Sequence, residues 1–373
     1  MNLKKQLAKN YINFRGWKTN RKIVVIESDD WGSIRMPSEE IVKLLKSKNY
    51  PLENNKFTLF DGLERHEDLE ELFKVLQFYK DKNNNHPVIT ACSVVANPDF
   101  DKIKSSNFKE YFPELLSETY IKYGEENLLD FWLNKGIKEN LLFPQFHGRE
   151  HINTIKWLKV LQSNNQMELD AFENNTLLGL TGGLTLDKDL YMAAFEADNI
   201  DDKNEVKEII KNGLEIFEQT FGYKSISFMP NQSKQFYELN ETLVSCDVKF
   251  SQAGHFLIPV KNGNYKIIDN HWGYRDKYGM NYWRRNCTFE PYKGSHLDHV
   301  GDCLKEIEIA FRWGKPAVIN SHRINFTSRI DSVLREKTLS DLKILLKTIL
   351  DKWPDVEFLN SNDLAEIMLN SKK

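Results

Sequence analysis

Two clusters of ionisable side chains in this sequence have the types and spacing of residues that bind a metal ion. The first contains three carboxylates within four positions, Glu27, Asp29 and Asp30. Such a group is costly to bury unless a cation, hydrogen-bond donors or solvent compensate its charge. The second is His147-Gly-Arg-Glu-His151, whose two imidazoles would lie on one side of a helix and could reach one ion about 2 Å away. Together the clusters predict a site of two histidines and one carboxylate, with open positions for water.

Each cluster also has an ordinary structural interpretation. The acids after Ile26 could be solvated side chains of a capped turn, and a pair such as His147 and His151 occurs by chance on surface helices. A third residue weighs against chance, because His322 also follows an apolar run, residues 316–320. A histidine there can be a core residue bonded to a carbonyl, but the coincidence with the other two clusters favours a general acid.

All three clusters follow apolar runs that predict buried strands. Residues 23–26 are β-branched without a polar break, as in a strand that is covered on both faces of a parallel sheet. The same apolar character is found in 88–96, 141–143 and 317–320. In parallel α/β folds, ligands bind at the carboxyl ends of the strands. The ionisable residues are therefore expected at a common edge of the sheet.

Strand-then-helix units continue along the whole chain. Periodicity predicts helices over 203–219, 297–313 and 339–352, each followed by a strand-like run. With no linker or low-complexity segment between them, these units predict an α/β fold, a single-domain (β/α) barrel over residues 21–373. Residues 164–200 lack a clear period and are expected to form an insertion that reaches over the site.

The segment before the barrel is basic. Residues 1–22 contain seven Lys or Arg and no acid, and their apolar residues are spaced as one face of a helix, expected over 1–20. These apolar residues are Leu3, Leu7, Tyr11 and Phe14. The favoured interpretation is a helix that caps the open bottom of the barrel. A basic amphipathic helix can also lie on an anionic membrane, so a peripheral membrane contact is the alternative.

Composition narrows the classes of protein to which this chain could belong. A net charge of −3 gives no reason to expect a nucleic acid as partner. The four cysteines are scattered without a CxxC pair, which indicates reduced thiols rather than disulfides or a zinc knuckle. No apolar run is long enough to span a membrane, and the first residues lack the continuous apolar core of a secretory signal. The sequence therefore predicts a cytoplasmic protein.

The order and context of these motifs resemble those of the polysaccharide deacetylases, the fourth family of carbohydrate esterases. The resemblance covers most of the chain, and its most specific part is Asp29-Asp30 together with His147-x-x-x-His151. It implies an irregular (β/α) barrel of seven strands. It also implies that Asp29 is the catalytic base and His322 the general acid. In the same way it implies that Asp30, His147 and His151 bind a divalent metal, with zinc expected first and cobalt, nickel or manganese as alternatives.

Two features depart from the family pattern. Where the family has an arginine that steadies the catalytic base, this chain has Met229, and Arg284 or Arg285 could supply a substitute from another segment. Directly after the acid pair, Trp31 displaces the expected glycine. The residues expected to bind the substrate are Trp31, Trp283 and Arg285. Further candidates at the rim, none singled out by its spacing, are Asp269, Trp272 and Glu290.

The residue types fit the hydrolysis of an acetylated sugar. A metal lowers the pKa of a bound water from about 15.7 towards about 7, a carboxylate accepts its proton, and a histidine protonates the departing group. Because an amide nitrogen must be protonated to leave, we expect an N-acetyl group on a sugar or polysaccharide precursor. The expected partner is thus an acetylated saccharide. Two alternatives stay open, another metal-dependent amide or glycosidic hydrolase on the same barrel, and a catalytically inactive sugar-binding protein.

Overall fold

The fold is built around parallel strands. The computed structural model describes residues 3–179, 191–260 and 264–371. The strands of these residues are β1 (Ile23–Trp31), β2 (Ile89–Val94), β3 (Ala96–Pro98), β4 (Pro113–Leu115), β5 (Leu142–Gly148), β6 (Ser227–Phe228), β7 (Phe250–Ser251), β8 (His255–Pro259), β9 (Tyr265–Asp269), β10 (Asn281–Tyr282), β11 (Cys287–Thr288), β12 (Ala317–His322) and β13 (Glu357–Phe358).

The main sheet has the order β10–β7–β6–β5–β2–β1–β12–β11, with β13 beside the start of β1. Every strand pair in it is parallel. Two separate antiparallel pairs, β3–β4 and β8–β9, lie outside it. This arrangement confirms the predicted α/β class and the irregular parallel barrel. Among the described residues the sheet is an open half-barrel with eight strands along its path, rather than the seven that the resemblance implied.

Helices alternate with these strands. They are α1 (Leu3–Phe14), α2 (Glu39–Ser47), α3 (Lys56–Phe60), α4 (His66–Gln77), α5 (Phe100–Ser105), α6 (Leu116–Lys122), α7 (Leu128–Phe131), α8 (Thr154–Gln162), α9 (Gln166–Glu173), α10 (Ile200–Phe221), α11 (Leu239–Ser245), α12 (His299–Arg312), α13 (Ser332–Lys352) and α14 (Ser361–Asn370). A π-helical turn continues α7.

The long helices begin and end at local sequence signals. Asn199, Asp298 and Asp331 precede α10, α12 and α13, and their side chains accept hydrogen bonds from backbone N–H groups of the first turn. Gly222 ends α10 with a left-handed φ of 80°. These are the three helices that periodicity predicts. The third begins earlier than its apolar repeat indicates, because Asp331 caps it.

The apolar run of β1 is buried on both sides because it lies in the middle of the sheet. All nine residues of this strand are buried. Val24 and Ile26 belong to the large core shared with α4 and α13. Ile23 and Val25 pack instead with Trp283 and with α14, inside the half-barrel. Helix α14 therefore covers the bottom of the barrel, at the end where the strands begin.

Helix α1 does not have the predicted role. Its polar face contacts the body of the protein, where Lys5 and Lys9 form ion pairs with the buried Glu306 of α12 at 3.1 and 3.2 Å. Its apolar face is exposed, namely Leu3, Leu7, Tyr11 and Phe14. The expectation that α1 caps the barrel is wrong, because α14 occupies that position.

The predicted insertion is described only in part. Residues 180–190 lie outside the described residues, while α9 and the segments on either side of the gap are placed. Gly179 and Met192, which border the gap, line the central cavity. The boundaries of this insertion, and the division of the chain at residue 20, stay predictions.

The structure bears on two of the inferences from composition, those on disulfides and on membrane-spanning segments. The four cysteines, all within the described residues, form no disulfide. Among the helices that the structure describes, none has the length and apolar character needed to cross a bilayer.

Candidate active site

A bulge at the end of β1 presents two consecutive carboxylates. Ser28 pairs with Ala91 and Trp31 with Ser93, so β1 contains one extra residue between these pairs. Asp30 adopts a left-handed φ of 75°, a conformation that aspartate tolerates better than most residues. Neighbouring side chains of a regular strand point to opposite faces, and the bulge removes this alternation. Both Asp29 and Asp30 therefore line the same cavity.

A second bulge places His147. On β5 one extra residue separates the pairs that Phe146 and Gly148 make with β2. Gly148 has a φ of 132°, and a Cβ there would lie 2.8 Å from the carbonyl oxygen of Glu150, so only glycine fits without strain. The bulge turns the chain at the end of β5, and the imidazole of His147 lines the cavity.

The two histidines do not lie on one helix, which corrects the sequence analysis. His147 is the penultimate residue of β5, and His151 lies in the bend that follows it. Helix α8 begins only at Thr154, because the Asn153 side chain caps it by accepting a hydrogen bond from the N–H of Lys156. A turn after a strand, rather than one turn of a helix, brings the imidazoles together.

Asp30, His147 and His151 form a buried group that fits a metal ion. Their ligand atoms all lie within 4.8 Å of one another. Oδ1 of Asp30 is 3.5 Å from Nε2 of His147 and 2.8 Å from Nε2 of His151. Burial lowers the pKa of His151 to about 4, which keeps this imidazole neutral as metal ligation requires. Two nitrogens and one carboxylate oxygen are a ligand set of catalytic zinc sites.

The orientation of His147 supports the same interpretation. Its Nδ1–H donates to the backbone carbonyl of Met229 at 2.7 Å, so Nε2 carries the free lone pair. This Nε2 atom is buried and has no hydrogen-bond partner among the described residues. Asn231 fixes the same strand end by donating to the carbonyl of His147 at 3.1 Å. Because the main-chain oxygen of Met229 holds His147, this hydrogen bond does not depend on the side chain at position 229.

Arg285 holds Asp29 in the way that the missing family arginine was expected to. Its two terminal nitrogens donate to both oxygens of Asp29, at 2.6 and 2.7 Å. Its Nε donates to Glu27 at 2.5 Å. Burial by itself would raise the pKa of Asp29, but the charge and hydrogen bonds of Arg285, together with the charges of His147 and His322, lower this pKa to about 2. Arg284 instead pairs with Asp269 at 2.6 Å, away from the acid pair.

His322 is oriented by an acid that the sequence analysis noted without assigning a role. Its Nδ1 lies 2.6 Å from Oε1 of Glu290, while its Nε2 lies 4.0 Å from Asp29. Asn320 and Asn325 donate to the two oxygens of Glu290 and hold it in place. Burial lowers the pKa of His322, but the charge and hydrogen bond of Glu290, together with the charges of Asp30 and Asp29, raise this pKa to about 9. The imidazole is therefore protonated at neutral pH.

The cavity of about 350 Å³ around these residues has walls that sequence reasoning did not identify. Phe57 and Tyr292 flank the ring of His322, with centroid separations of 5.2 and 6.3 Å. Arg35 reaches the cavity from the loop after β1, and its Nη2 lies 3.3 Å from Nδ1 of His151. None of the three follows a strand-like run in the sequence, so no local pattern marks them.

Two of the residues predicted to bind substrate are core residues. Trp31 has no exposed surface, and its Nε1–H donates to Ser28 at 2.9 Å. Trp283 is equally buried and donates to Glu27 at 3.0 Å. Because neither ring reaches the cavity, the prediction of a direct substrate contact is wrong for both. Arg285 also does not line the cavity, since its guanidinium is occupied by carboxylates.

No protein-family model matches the chain, and no curated protein matches it in sequence. Solved structures resemble it weakly. A protein of Mycobacterium smegmatis assigned to the polysaccharide deacetylases aligns with a TM-score of 0.45 and 10% identity, covering 96% of this chain and 94% of its own. A protein of Parabacteroides distasonis assigned as a glycoside hydrolase/deacetylase gives 0.49 and 9%, covering 96% and 74%.

The same fold comparison also finds a different enzyme. The 4-alpha-glucanotransferase of Thermococcus litoralis aligns with a TM-score of 0.44 and 9% identity, covering 93% of this chain and 40% of that one. Similarities of this extent carry no information about the chemistry of the site. The functional argument therefore rests on the geometry of the chain's own residues.

Proposed function

We propose that the protein is a metal-dependent hydrolase that removes acetyl groups, preferentially N-acetyl groups, from a sugar or polysaccharide precursor. The observation that carries this proposal is the buried Nε2 of His147 beside Asp30 and His151, which has no hydrogen-bond partner in the part of the chain that the structure describes. It faces the same cavity as Asp29 and His322. A metal-binding group, an ionised carboxylate and a protonated imidazole are the three components that hydrolysis of an amide needs.

Asp30, His147 and His151 would hold the ion, and zinc suits their two nitrogens and one oxygen. When bound, a divalent metal polarises a carbonyl and lowers the pKa of a water. Met229 fixes the tautomer of His147 through its carbonyl, so the ligand does not have to reorganise. Cobalt, nickel or manganese are compatible with the same donors.

Asp29 is the proposed acceptor of the proton from the attacking water. As water oxygen bonds to the acetyl carbon, one proton moves to a carboxylate oxygen of Asp29. Arg285 keeps this carboxylate ionised and fixes its direction by binding both oxygens. Each oxygen retains a second lone pair that can accept the proton.

His322 is the proposed proton donor to the leaving nitrogen. When the bond between the carbonyl carbon and nitrogen breaks, Nε2–H of His322 protonates the nitrogen, which leaves as an amine together with acetate. The hydrogen bond from Nδ1 to Glu290 directs Nε2 towards the cavity. A donor of this kind matters most for an amide, because an amine anion is a poor leaving group.

The shape of the cavity supports a saccharide as substrate. Its volume of about 350 Å³ is large enough for a sugar unit. Phe57 and Tyr292 line it and offer aromatic faces on which the C–H face of a sugar ring can pack. Asn55, Asn320 and Gln232 supply polar groups for hydroxyls. Acetylated saccharides are thus the proposed substrate class.

One observation favours a second candidate, a sugar-binding protein without turnover. Arg285 occupies both oxygens of Asp29 and lowers its pKa to about 2, which weakens this carboxylate as a base. Such a protein would retain the cavity and the metal ligands but release no acetate.

Acetate release decides between these candidates. The protein is incubated with N- and O-acetylated saccharides and sugar nucleotides, and acetate is measured enzymatically. At least one substrate should release acetate, a chelator should stop the release, and zinc or cobalt should restore it. His322→Ala should slow amides more than activated esters, which need little protonation on leaving. If metal-loaded protein binds sugars but releases no acetate from any of them, the binding protein is the correct assignment.

A further inference from the structure

Helix α1 packs on the protein with its polar face and exposes its apolar face. The side that faces the protein consists of Lys5, Lys9 and Asn13, which contact Glu306 and Asn286. The opposite side carries four large apolar residues on successive turns, with exposed fractions of 70, 64, 61 and 55% for Leu3, Leu7, Tyr11 and Phe14. Single exposed apolar residues are normal, but a whole helical stripe of them marks an interaction surface.

The charged residues of the N-terminal segment that carries this stripe are all positive. Lys4 directly follows Leu3 and Arg15 directly follows Phe14, so a basic residue stands at each end of the stripe, and both are exposed. Lys18 is exposed in the segment after the helix. No acidic residue occurs between positions 3 and 26 of the sequence. The surface therefore combines apolar contact with attraction for negative charge.

The charge and the size of this stripe indicate which kind of partner can bind it. A second copy of α1 would bring Lys4 and Arg15 of the two chains together, which is unfavourable in either orientation. A stripe one helix wide and about 18 Å long is too small for the roughly 800 Å² per partner of a specific protein interface. A lipid surface needs only a few side chains inserted at the headgroup boundary, with cations beside them.

We infer that α1 attaches the protein to the surface of an anionic membrane. Leu3, Leu7, Tyr11 and Phe14 enter the boundary between headgroups and acyl chains, while Lys4 and Arg15 bind the anionic headgroups. The ion pairs of Lys5 and Lys9 with α12 hold the helix on the body in the orientation that presents this stripe. The inference is independent of the proposed hydrolase activity, because no residue of α1 lines the cavity.

Vesicle flotation with the full chain tests this inference. Phosphatidylcholine vesicles are compared with vesicles that also contain phosphatidylserine, at low and high salt. The protein should float with the anionic vesicles and dissociate as salt rises. Leu7→Gln combined with Tyr11→Gln should weaken binding by about tenfold or more, because it removes half of the stripe. Lys4→Gln combined with Arg15→Gln should cause a loss of about tenfold on anionic vesicles only.

The matched control is Ile344→Gln on α13, which changes an apolar side chain of 53% exposure on a different helix and should leave binding unchanged. All changed side chains are exposed, so equal thermal unfolding midpoints verify that the variants are folded. Wild-type protein that does not float with anionic vesicles overturns the inference, as does binding that survives Leu7→Gln with Tyr11→Gln. A dimer in analytical ultracentrifugation that this double variant dissociates identifies a second copy as the occupant, and also overturns it.

Discussion

Among the described residues, Arg285 and Arg323 each bind two buried carboxylates, and only one of these two clusters borders the cavity. Arg285 binds Asp29 and Glu27, as described above. Arg323 donates to both oxygens of Asp61 at 3.0 Å and to Glu64 at 2.8 Å. The side chains of this second cluster have no exposed surface, whereas Asp29 lines the cavity.

The arginine lowers the pKa of the aspartate in both clusters, but the net shifts are opposite. Arg285, together with the charges of His147 and His322, outweighs burial and lowers the pKa of Asp29 to about 2. Burial raises the pKa of Asp61 to about 6, although Arg323 opposes this, because the nearby charge of Asp30 adds to the effect of burial. An arginine–carboxylate pair thus has no fixed electrostatic outcome. The net pKa shift of the carboxylate depends on how deeply it is buried and on the other charges nearby.

The two clusters consequently do different work. Arg323 directly follows His322 and also donates to the carbonyl of Ser33 at 2.6 Å, so it ties the end of β12 to the loop after Asp30. Arg285 acts on a carboxylate that a substrate can reach. We interpret the enclosed cluster, that of Arg323, as structural and the open cluster, that of Arg285, as part of the chemistry. The following variants test this interpretation.

The largest expected effect separates Asp29, which Arg285 binds, from its neighbour Asp30. Asp29→Asn should reduce kcat by about 10²- to 10⁴-fold while the metal content stays near one ion per chain, because a base is lost and a ligand is not. Asp30→Ala should remove the metal, and His147→Ala is the matched ligand control. Elemental analysis and acetate release measure both quantities. Equal metal loss in the Asp29 and Asp30 variants would contradict the assigned roles.

The next largest effect is expected in the free energy of unfolding, when the arginine of each cluster is replaced. Arg323→Met should lower the free energy of unfolding by about 3–5 kcal/mol, because it leaves buried, unpaired carboxylates. Arg285→Met should cost less, since water in the cavity can solvate Asp29 and since Trp283 and Ser361 still donate to the buried Glu27. Urea denaturation of both variants, with equal slopes required, gives the comparison. If the two changes are equally destabilising, access to the cavity is not what distinguishes the clusters.

A smaller effect is expected in the pH dependence of kcat/KM. Because Glu290 raises the pKa of His322 to about 9, kcat/KM should fall as the pH rises through that value. The same shift contributes stability that is full below the ordinary pKa of 6.5 and is lost as the pH rises through about 9. Glu290→Gln should move the alkaline limb to lower pH. An unmoved limb in this variant would assign that limb to a group other than His322.

The smallest effect should come from Arg284, the neighbour of Arg285. Its partner Asp269 is 36% exposed, so Arg284→Gln should change the free energy of unfolding by at most about 1 kcal/mol and leave turnover unchanged. Denaturation and acetate release measured in parallel check this. A loss of turnover in this variant would mean that Arg284 also serves the site.

Local sequence determined the strands and the polar residues that end them. The β-branched run before Glu27 and the apolar run before His322 predict buried strands correctly. A strand that is buried on both faces needs consecutive apolar residues, so a few neighbouring residues are enough to recognise it. Since parallel strands present the same ends at one edge, the meeting of Asp30 with His147 and His151 followed from this pattern. The helix expected for the two histidines was wrong because a bulge and the Asn153 cap alter the local path.

Only the tertiary structure decided which distant residues complete the site. Arg285 reaches Asp29 across 256 positions, and Glu290 reaches His322 from the loop after β11. The order of the strands brings these residues together, and no pattern within one segment encodes that order. The same holds for Trp31 and Trp283, whose burial depends on packing from other segments, and for α1. Amphipathicity predicts that a helix has two faces, but the ion pairs of Lys5 and Lys9 with the buried Glu306 determine which face turns inward.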